Sequence, residues 1–206
     1  MSEKKILITN TLTQPQKSEA AKLFYQSFIP KFHHLWFYNK NEEEVYSVLR
    51  NVLIYKYGIY AILDHKVVGI LGMDFGTKKR FLDLNLSAFT DTFGFFGGMY
   101  RYLKNIGEDL LVHTRAHARQ PRIHPIAVAE EVRGKGVGGK LMKAFEHYSR
   151  KAGCTAMALE VVDNNPGAIK LYEREGYVKY RYLPTSLFTG KAGFQGIYYM
   201  KKNLIT

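Results

Sequence analysis

The chain has 206 residues, 46% of them hydrophobic, which suits one domain with a sizeable core or a compact pair. No apolar run reaches the roughly 18 residues of a membrane span, and the patch Ile6–Ile8 is too short for a signal-peptide core. The single cysteine, Cys154, cannot form an internal disulfide, so the expectation is a cytoplasmic protein without a membrane partner. The net charge of +12 is uneven: His113–Lys151 holds nine Lys/Arg against three Asp/Glu, and no acid follows Glu175, a field that attracts anions.

In chain order, Lys5–Thr9 reads as a first strand. Thr13–Phe28 opens with helix-entry residues and carries Leu23, Phe24 and Phe28, which predicts a helix. Asn41–Tyr57 predicts another, capped by Asn41 with three glutamates in its first turn. Gly58–Phe75 reads as a hairpin turning at Asp64–Lys66. Gly76–Gln120 is an aromatic-rich insert in which FGFFGGMYRYL breaks any single periodicity. Short helices with a long connection are expected there, as a substrate wall or as a flap that fills the core.

From Arg122 the pattern sharpens. Arg122–Val128 is a strand, and Gly136–Gly153 is an amphipathic helix with Leu141, Phe145, Tyr148 and Ala152 on one face and Gly153 at its end. Thr155–Val162 is a strand, Asn165–Gly176 a short helix with Pro166 at its first position, and Tyr177–Leu183 and Gln195–Lys202 are strands. The strand–helix–strand portion predicts a right-handed crossover with a parallel pair.

The stretch EEVRGKGVGGKLM, Glu130–Met142, fits three phosphate-binding patterns. As a P-loop it fails, because Leu141 follows Lys140 where the Mg²⁺-binding hydroxyl belongs. As a dinucleotide loop it uses Gly134, Gly136 and Gly139, with Glu160 as the ribose partner. Against this, AEEVR separates the strand from the glycines, and too little chain follows for a second mononucleotide half. The third pattern, [QR]-x-x-G-x-[GA], is met by Arg133, Gly136 and Gly138. In each case, N–H groups at a helix start offer donors that need no side-chain ordering, and glycines permit close approach.

VAEEVRGKGVGGKLM followed by LEVVDNNPGAIKLYEREGY resembles the GNAT superfamily of acyl-CoA N-acyltransferases over Ile123–Tyr177, and its cofactor half is similar to the ribosomal-protein N-terminal acetyltransferase branch. The second motif is Asn165, Ala168 and Leu171–Tyr172 ahead of Gly176–Tyr177. The resemblance implies a single α/β domain over residues 1–206, with a mixed, mostly antiparallel twisted sheet flanked by helices. A V-shaped split would separate the family's fourth and fifth strands, here Arg122–Val128 and Thr155–Val162. It implies acetyl-CoA as co-substrate, with no metal expected, and an amine-bearing small molecule or peptide as acceptor. Arg133, Gly134, Lys135, Gly136, Val137, Gly138, Gly139 and Lys140 would surround the pyrophosphate, with Asn165 and Ala168 beyond. Ile126, Ala127 and Val128 would hold the pantetheine arm and the thioester, while Pro125 has no N–H to give.

For chemistry, Tyr172 matches the family's acid that protonates the departing sulfur; its alternative is packing. Glu160 is an acid in an apolar strand, five residues before Asn165, and reads as general base or as half of a structural ion pair. His124, acting through water, is the second base candidate. His113 and His117 share a spacing of four but lack a third ligand, so no metal site is assigned. Two other functions stay open: a dinucleotide-binding protein using Gly134–Gly139, and an RNA-binding basic module. For the latter, VKYRYL interleaves Tyr with Lys/Arg, although alternating Tyr on a strand usually packs. Nucleic acid is disfavoured, and a homodimer is left open.

Overall fold

The structure, a computed structural model, describes residues 5–76, 79–112, 120–185 and 189–204. After β1 (Leu7–Thr9) comes α1 (Gln14–Ser27). Thr13 and Gln16 close its start reciprocally: Thr13 N–H donates to Gln16 Oε1 at 3.0 Å and Gln16 N–H to Thr13 Oγ1 at 3.5 Å. A short α2 (Ile29–Lys31) runs into a π turn, Phe32–Trp36. Asn41 caps α3 (Glu42–Val52) by accepting from Glu43 N–H at 3.1 Å and Glu44 N–H at 3.4 Å, and the acids of the first turn favour the helix dipole. β2 (Gly58–Leu63) and β3 (Lys66–Asp74) form the expected hairpin, with Asp64 and His65 both in the left-handed region, φ 49° and 65°.

The insert matches expectation in part. Its helical portion, α4 (Leu86–Val112), is two helical segments that meet at Gly94, where φ 71° and ψ 168° suit glycine alone, with a kink where a long connection was expected. This helix clamps the π turn: Arg101 Nε donates to Phe37 O at 2.7 Å, and Asn105 Nδ2 donates to Trp36 O.

β4 (Arg122–Val128), α5 (Val137–Lys151), β5 (Ala156–Val162), α6 (Pro166–Arg174), β6 (Val178–Pro184) and β7 (Gly196–Asn203) complete the chain. Seven strands lie in the order β1-β2-β3-β4-β5-β7-β6, and every neighbouring pair is antiparallel except β4–β5. The parallel pair is short: Arg122 faces Ala158 and Ile123 faces Leu159, and then the strands part. The parting has a local cause. Between Ile123 and Ile126, β4 spends three steps where β3 spends two, from Met73 to Leu71, so a bulge sits at His124–Pro125. Bulges bend the strand that carries them. The split expected between the fourth and fifth strands is therefore real, and it opens immediately after Ile123.

One face assignment is corrected. On α5 the buried series is Leu141, Phe145 and Ser149; Tyr148 stands partly in solvent and Ala152 lies exposed beyond the helix. A small polar residue holds the inward position, so residue type misdirects the reading where the 3.6-residue period does not. On β6, an edge strand, Tyr180 and Tyr182 stay partly exposed while packing on β7, Tyr180 against Tyr199 and Tyr182 against Tyr198.

Candidate functional site

The glycine loop enters α5 through two left-handed residues, Gly134 (φ 76°) and Gly136 (φ 75°). Gly136 is the N-cap and offers no side chain, so the first intrahelical bond, Lys140 N–H to Gly136 O at 3.1 Å, leaves the N–H groups of Val137, Gly138 and Gly139 ahead of it. Gly138 and Gly139 serve a different purpose. A Cβ on Gly138 would stand 2.9 Å from Leu171 Cδ2, and one on Gly139 the same distance from Glu175 Oε1, so both let α6 approach. The result is a cavity of about 780 Å³ walled by Ile126, Ala127 and Val128 of β4 and by Arg133, Gly134, Gly136, Val137, Gly138 and Gly139. Asn165, Ala168 and Tyr172 close it from α6. A 15-residue helix aiming its N-terminus into such a space, with glycine where side chains would obstruct, fits a diphosphate.

Lys135 and Lys140 are not part of this wall. Lys135 turns back to donate to Glu131 O at 3.0 Å, and Lys140 stands exposed on α5. The cationic members are Arg133, which also donates to Val128 O at 3.2 Å, and Arg174 at the end of α6. Asn165 spends its carbonyl on the cap of α6, accepting Ala168 N–H at 3.0 Å.

A second cavity adjoins the first, and Phe28, Ile126, Asn165, Ala168 and Tyr172 line both. It carries the titratable groups His124, Glu160, Tyr172 and Lys31, and Trp36 also lines it. Tyr172 stands at the junction and is buried, and that burial pushes its hydroxyl above the ordinary phenol range. It therefore stays protonated at neutral pH, the form in which an acid must begin.

Behind the second cavity lies a buried charge network. Arg122 Nη1 is 3.2 Å from Glu160 Oε1, and Arg122 Nη2 is 2.9 Å from Asp74 Oδ2. The same Asp74 oxygen is 3.6 Å from His124 Nδ1 and 3.8 Å from Arg80 Nε, while Asp74 Oδ1 accepts Phe81 N–H at 3.0 Å. Burial opposes the charge on Asp74, but His124 and Arg122 outweigh it and hold the carboxyl far below the usual carboxylate range. Glu160 thus sits in the ion pair that was its structural alternative. His124 faces the cavity with a carboxylate behind its ring.

Sequence reasoning did not single out Asp74, Arg122, Phe28, Trp36 or Arg174 as site residues. Arg174 carries a readable signal, a cation in the last turn of a helix whose motif was already identified. Asp74 and Arg122 carry none, because they meet across 48 positions of chain. His113 and His117 lie outside the described residues. Among the described residues no three His, Cys, Asp or Glu side chains are grouped to hold a metal, and no helix is long and apolar enough to cross a membrane.

Residues 18–177 match the model of the Acetyltransferase (GNAT) family. The chain belongs to that family. Among curated GNAT relatives it is 31% identical to N-alpha-acetyltransferase 30 of Schizosaccharomyces pombe over 74 residues, 36% of this chain and 49% of that one. It is 33% identical to spermine/spermidine N(1)-acetyltransferase of Bacillus subtilis over 78 residues, 37% of this chain and 45% of that one. The chain thus spans about half the length of these curated relatives. A solved structure described as the NatC complex bound to Gag peptide and CoA superposes with a TM-score of 0.58 at 15% identity, covering 98% of this chain and 99% of that one. At that identity the likeness shows the GNAT fold.

Proposed function

We propose that this GNAT acetyltransferase moves an acetyl group from acetyl-CoA to a primary amine by direct attack, without a covalent enzyme intermediate. The observation that carries the reading is the junction of the two cavities. A cradle of glycines and helix N–H groups lies on one side of Tyr172, and His124 and Glu160 lie on the other. Val137, Gly138 and Gly139 N–H groups with Arg133 and Arg174 hold the diphosphate. The β4 backbone at Ile126–Val128, released from β5, offers those of its N–H and C=O groups that are not spent on β3 to the pantetheine arm and the thioester carbonyl. Acetyl-CoA brings the activated acyl group and a thiolate leaving group.

His124 accepts the proton of the attacking amine, directly or through water, and Tyr172 gives one to the departing sulfur. Of the two base candidates, support goes to His124. A guanidinium partner favours the carboxylate form of Glu160 over the acid it would become by accepting a proton, whereas a carboxylate behind His124 favours the imidazolium. Glu160 then serves to hold Arg122.

The test is thiol release from acetyl-CoA against a panel of amines, peptides and aminoglycosides, with His124→Gln and Glu160→Gln compared across pH. His124→Gln is expected to lower turnover, with the loss shrinking at high pH where free amine is abundant. The same pattern in Glu160→Gln, with His124→Gln unaffected, would transfer the role to Glu160. Absence of saturable acetyl-CoA binding at moderate salt would remove the reading altogether.

A further inference from the structure

A third cavity, about 60 Å³, adjoins the second, which on the proposed reading is the acceptor cavity, and Trp36 and His124 line both. Its floor is apolar and buried: Phe24, Phe32, Phe37 and Leu49. Its outer wall comes from the insert, with half-buried Leu82 and Leu84 beside Arg80 and Asn105. Asn105 also fixes the backbone of Trp36, so the insert both walls this space and holds the ring that separates it from the acceptor cavity. A mostly aromatic and aliphatic pocket that starts at the proposed base, with Arg80 and Asn105 at its wall, adjoins the place where that base would meet the reacting amine.

We infer that this pocket is a specificity subsite for an apolar branch on the carbon that bears the acceptor amine. The ligand class is an α-amino acyl group, such as the first residue of a peptide, with an aliphatic side chain. The inference rests on the acetyl-transfer reading only for the position of the amine. Size narrows the class. An apolar cavity of about 150 Å³ takes a benzene ring, so a space less than half as large admits a branch of a few carbons and excludes aromatic rings. Linear polyamines and aminoglycosides have no such branch and leave the pocket unfilled.

The experiment is a series of amino-acid amides, glycine, alanine, valine, leucine and phenylalanine, with spermidine as the unbranched control. All are assayed by thiol release at saturating acetyl-CoA. Each buried methylene is worth about fourfold, so kcat/KM should rise at least tenfold from glycinamide to leucinamide and fall again at phenylalaninamide. Leu84→Phe should bring the leucine-to-glycine ratio close to one, and Leu84→Ala should raise the phenylalanine-to-leucine ratio. A flat series, or spermidine exceeding leucinamide, overturns the subsite while leaving acetyl transfer standing. Binding is read separately through Trp36, the only tryptophan of the chain. Saturable fluorescence changes tighter for leucinamide than for glycinamide, without turnover, would keep the subsite and overturn acetyl transfer. Equal fluorescence responses across the series would overturn the subsite whatever the turnover.

Discussion

Asp74→Asn isolates the charge of the buried network, because asparagine matches aspartate in shape and opens no void. The carboxylate it removes lies 2.9 Å from Arg122 and 3.6 Å from His124, and is itself only 3% exposed. Removing one partner of a buried pair costs about 3–5 kcal/mol, because the other charge stays behind uncompensated. Arg122 keeps Glu160 at 3.2 Å, so the lower end applies, about 3 kcal/mol at pH 7. The pH dependence has a definite sign. The folded carboxyl titrates far below the value of about 3.9 that it has in the unfolded chain. Its stabilisation is therefore fully present above about pH 5 and is lost as pH falls through the unfolded value toward the folded one. Urea unfolding of both proteins at pH 7 and at steps down to pH 3 should show a gap near 3 kcal/mol that narrows below about pH 4. A gap under about 1 kcal/mol at pH 7, or one that does not change on acidification, would refute the argument.

Other perturbations separate the remaining parts. Gly136→Val puts a β-branched residue at φ 75° in front of the α5 N–H groups; coenzyme A affinity measured calorimetrically on the folded protein should drop at least tenfold, about 1.4 kcal/mol, alongside a backbone-strain loss of stability of about 1–3 kcal/mol. Tyr172→Phe keeps the ring and removes the acid, so turnover should fall roughly 10–100-fold with acetyl-CoA affinity unchanged; a donor with a more acidic thiol should recover part of the loss. Gly94→Ala should destabilise by about 1–3 kcal/mol in thermal unfolding although no atom lies within 4 Å of the new methyl, because the cost is backbone conformation and not contact.

The parts of the site legible in the sequence are those whose chemistry is local. The glycine loop, the start of α5, the Asn165 cap and the position of Tyr172 are each set by residues within a few positions of one another. The β4–β5 split could be anticipated from family resemblance, but its cause, the bulge at His124–Pro125, depends on register with β3 and has no signature of its own. Glu160 was readable as an anomaly, an acid in an apolar strand, while the partner that explains it, Arg122, looked like an ordinary strand residue. The insert was legible only in part for a related reason: its aromatic run puts Phe89 in the core before the Gly94 break and Phe96 in solvent after it, so no single face repeats. Composition reported many aromatics there without reporting that Asn105 and Arg101 would pin a turn more than sixty residues earlier.

The early parting of β4 and β5 leaves two strand edges facing each other inside a seven-stranded sheet. Such edges invite pairing, and proteins defend them with proline, bulges or charge. Here Pro125 and the bulge stand at the lip of the gap, while Ile126–Val128 beyond it have no such guard. The sheet is in that sense unfinished, and an extended ligand arm laid along those residues would act as its missing strand. Amide hydrogens of Ile126–Val128 that point into the gap should then exchange quickly in the free protein and slowly once the gap is filled, while their neighbours bonded to β3 stay slow in both. If the proposed reading holds, the unliganded form is the one expected to associate edge to edge on warming, and acetyl-CoA would act as a shield against aggregation as well as a reactant.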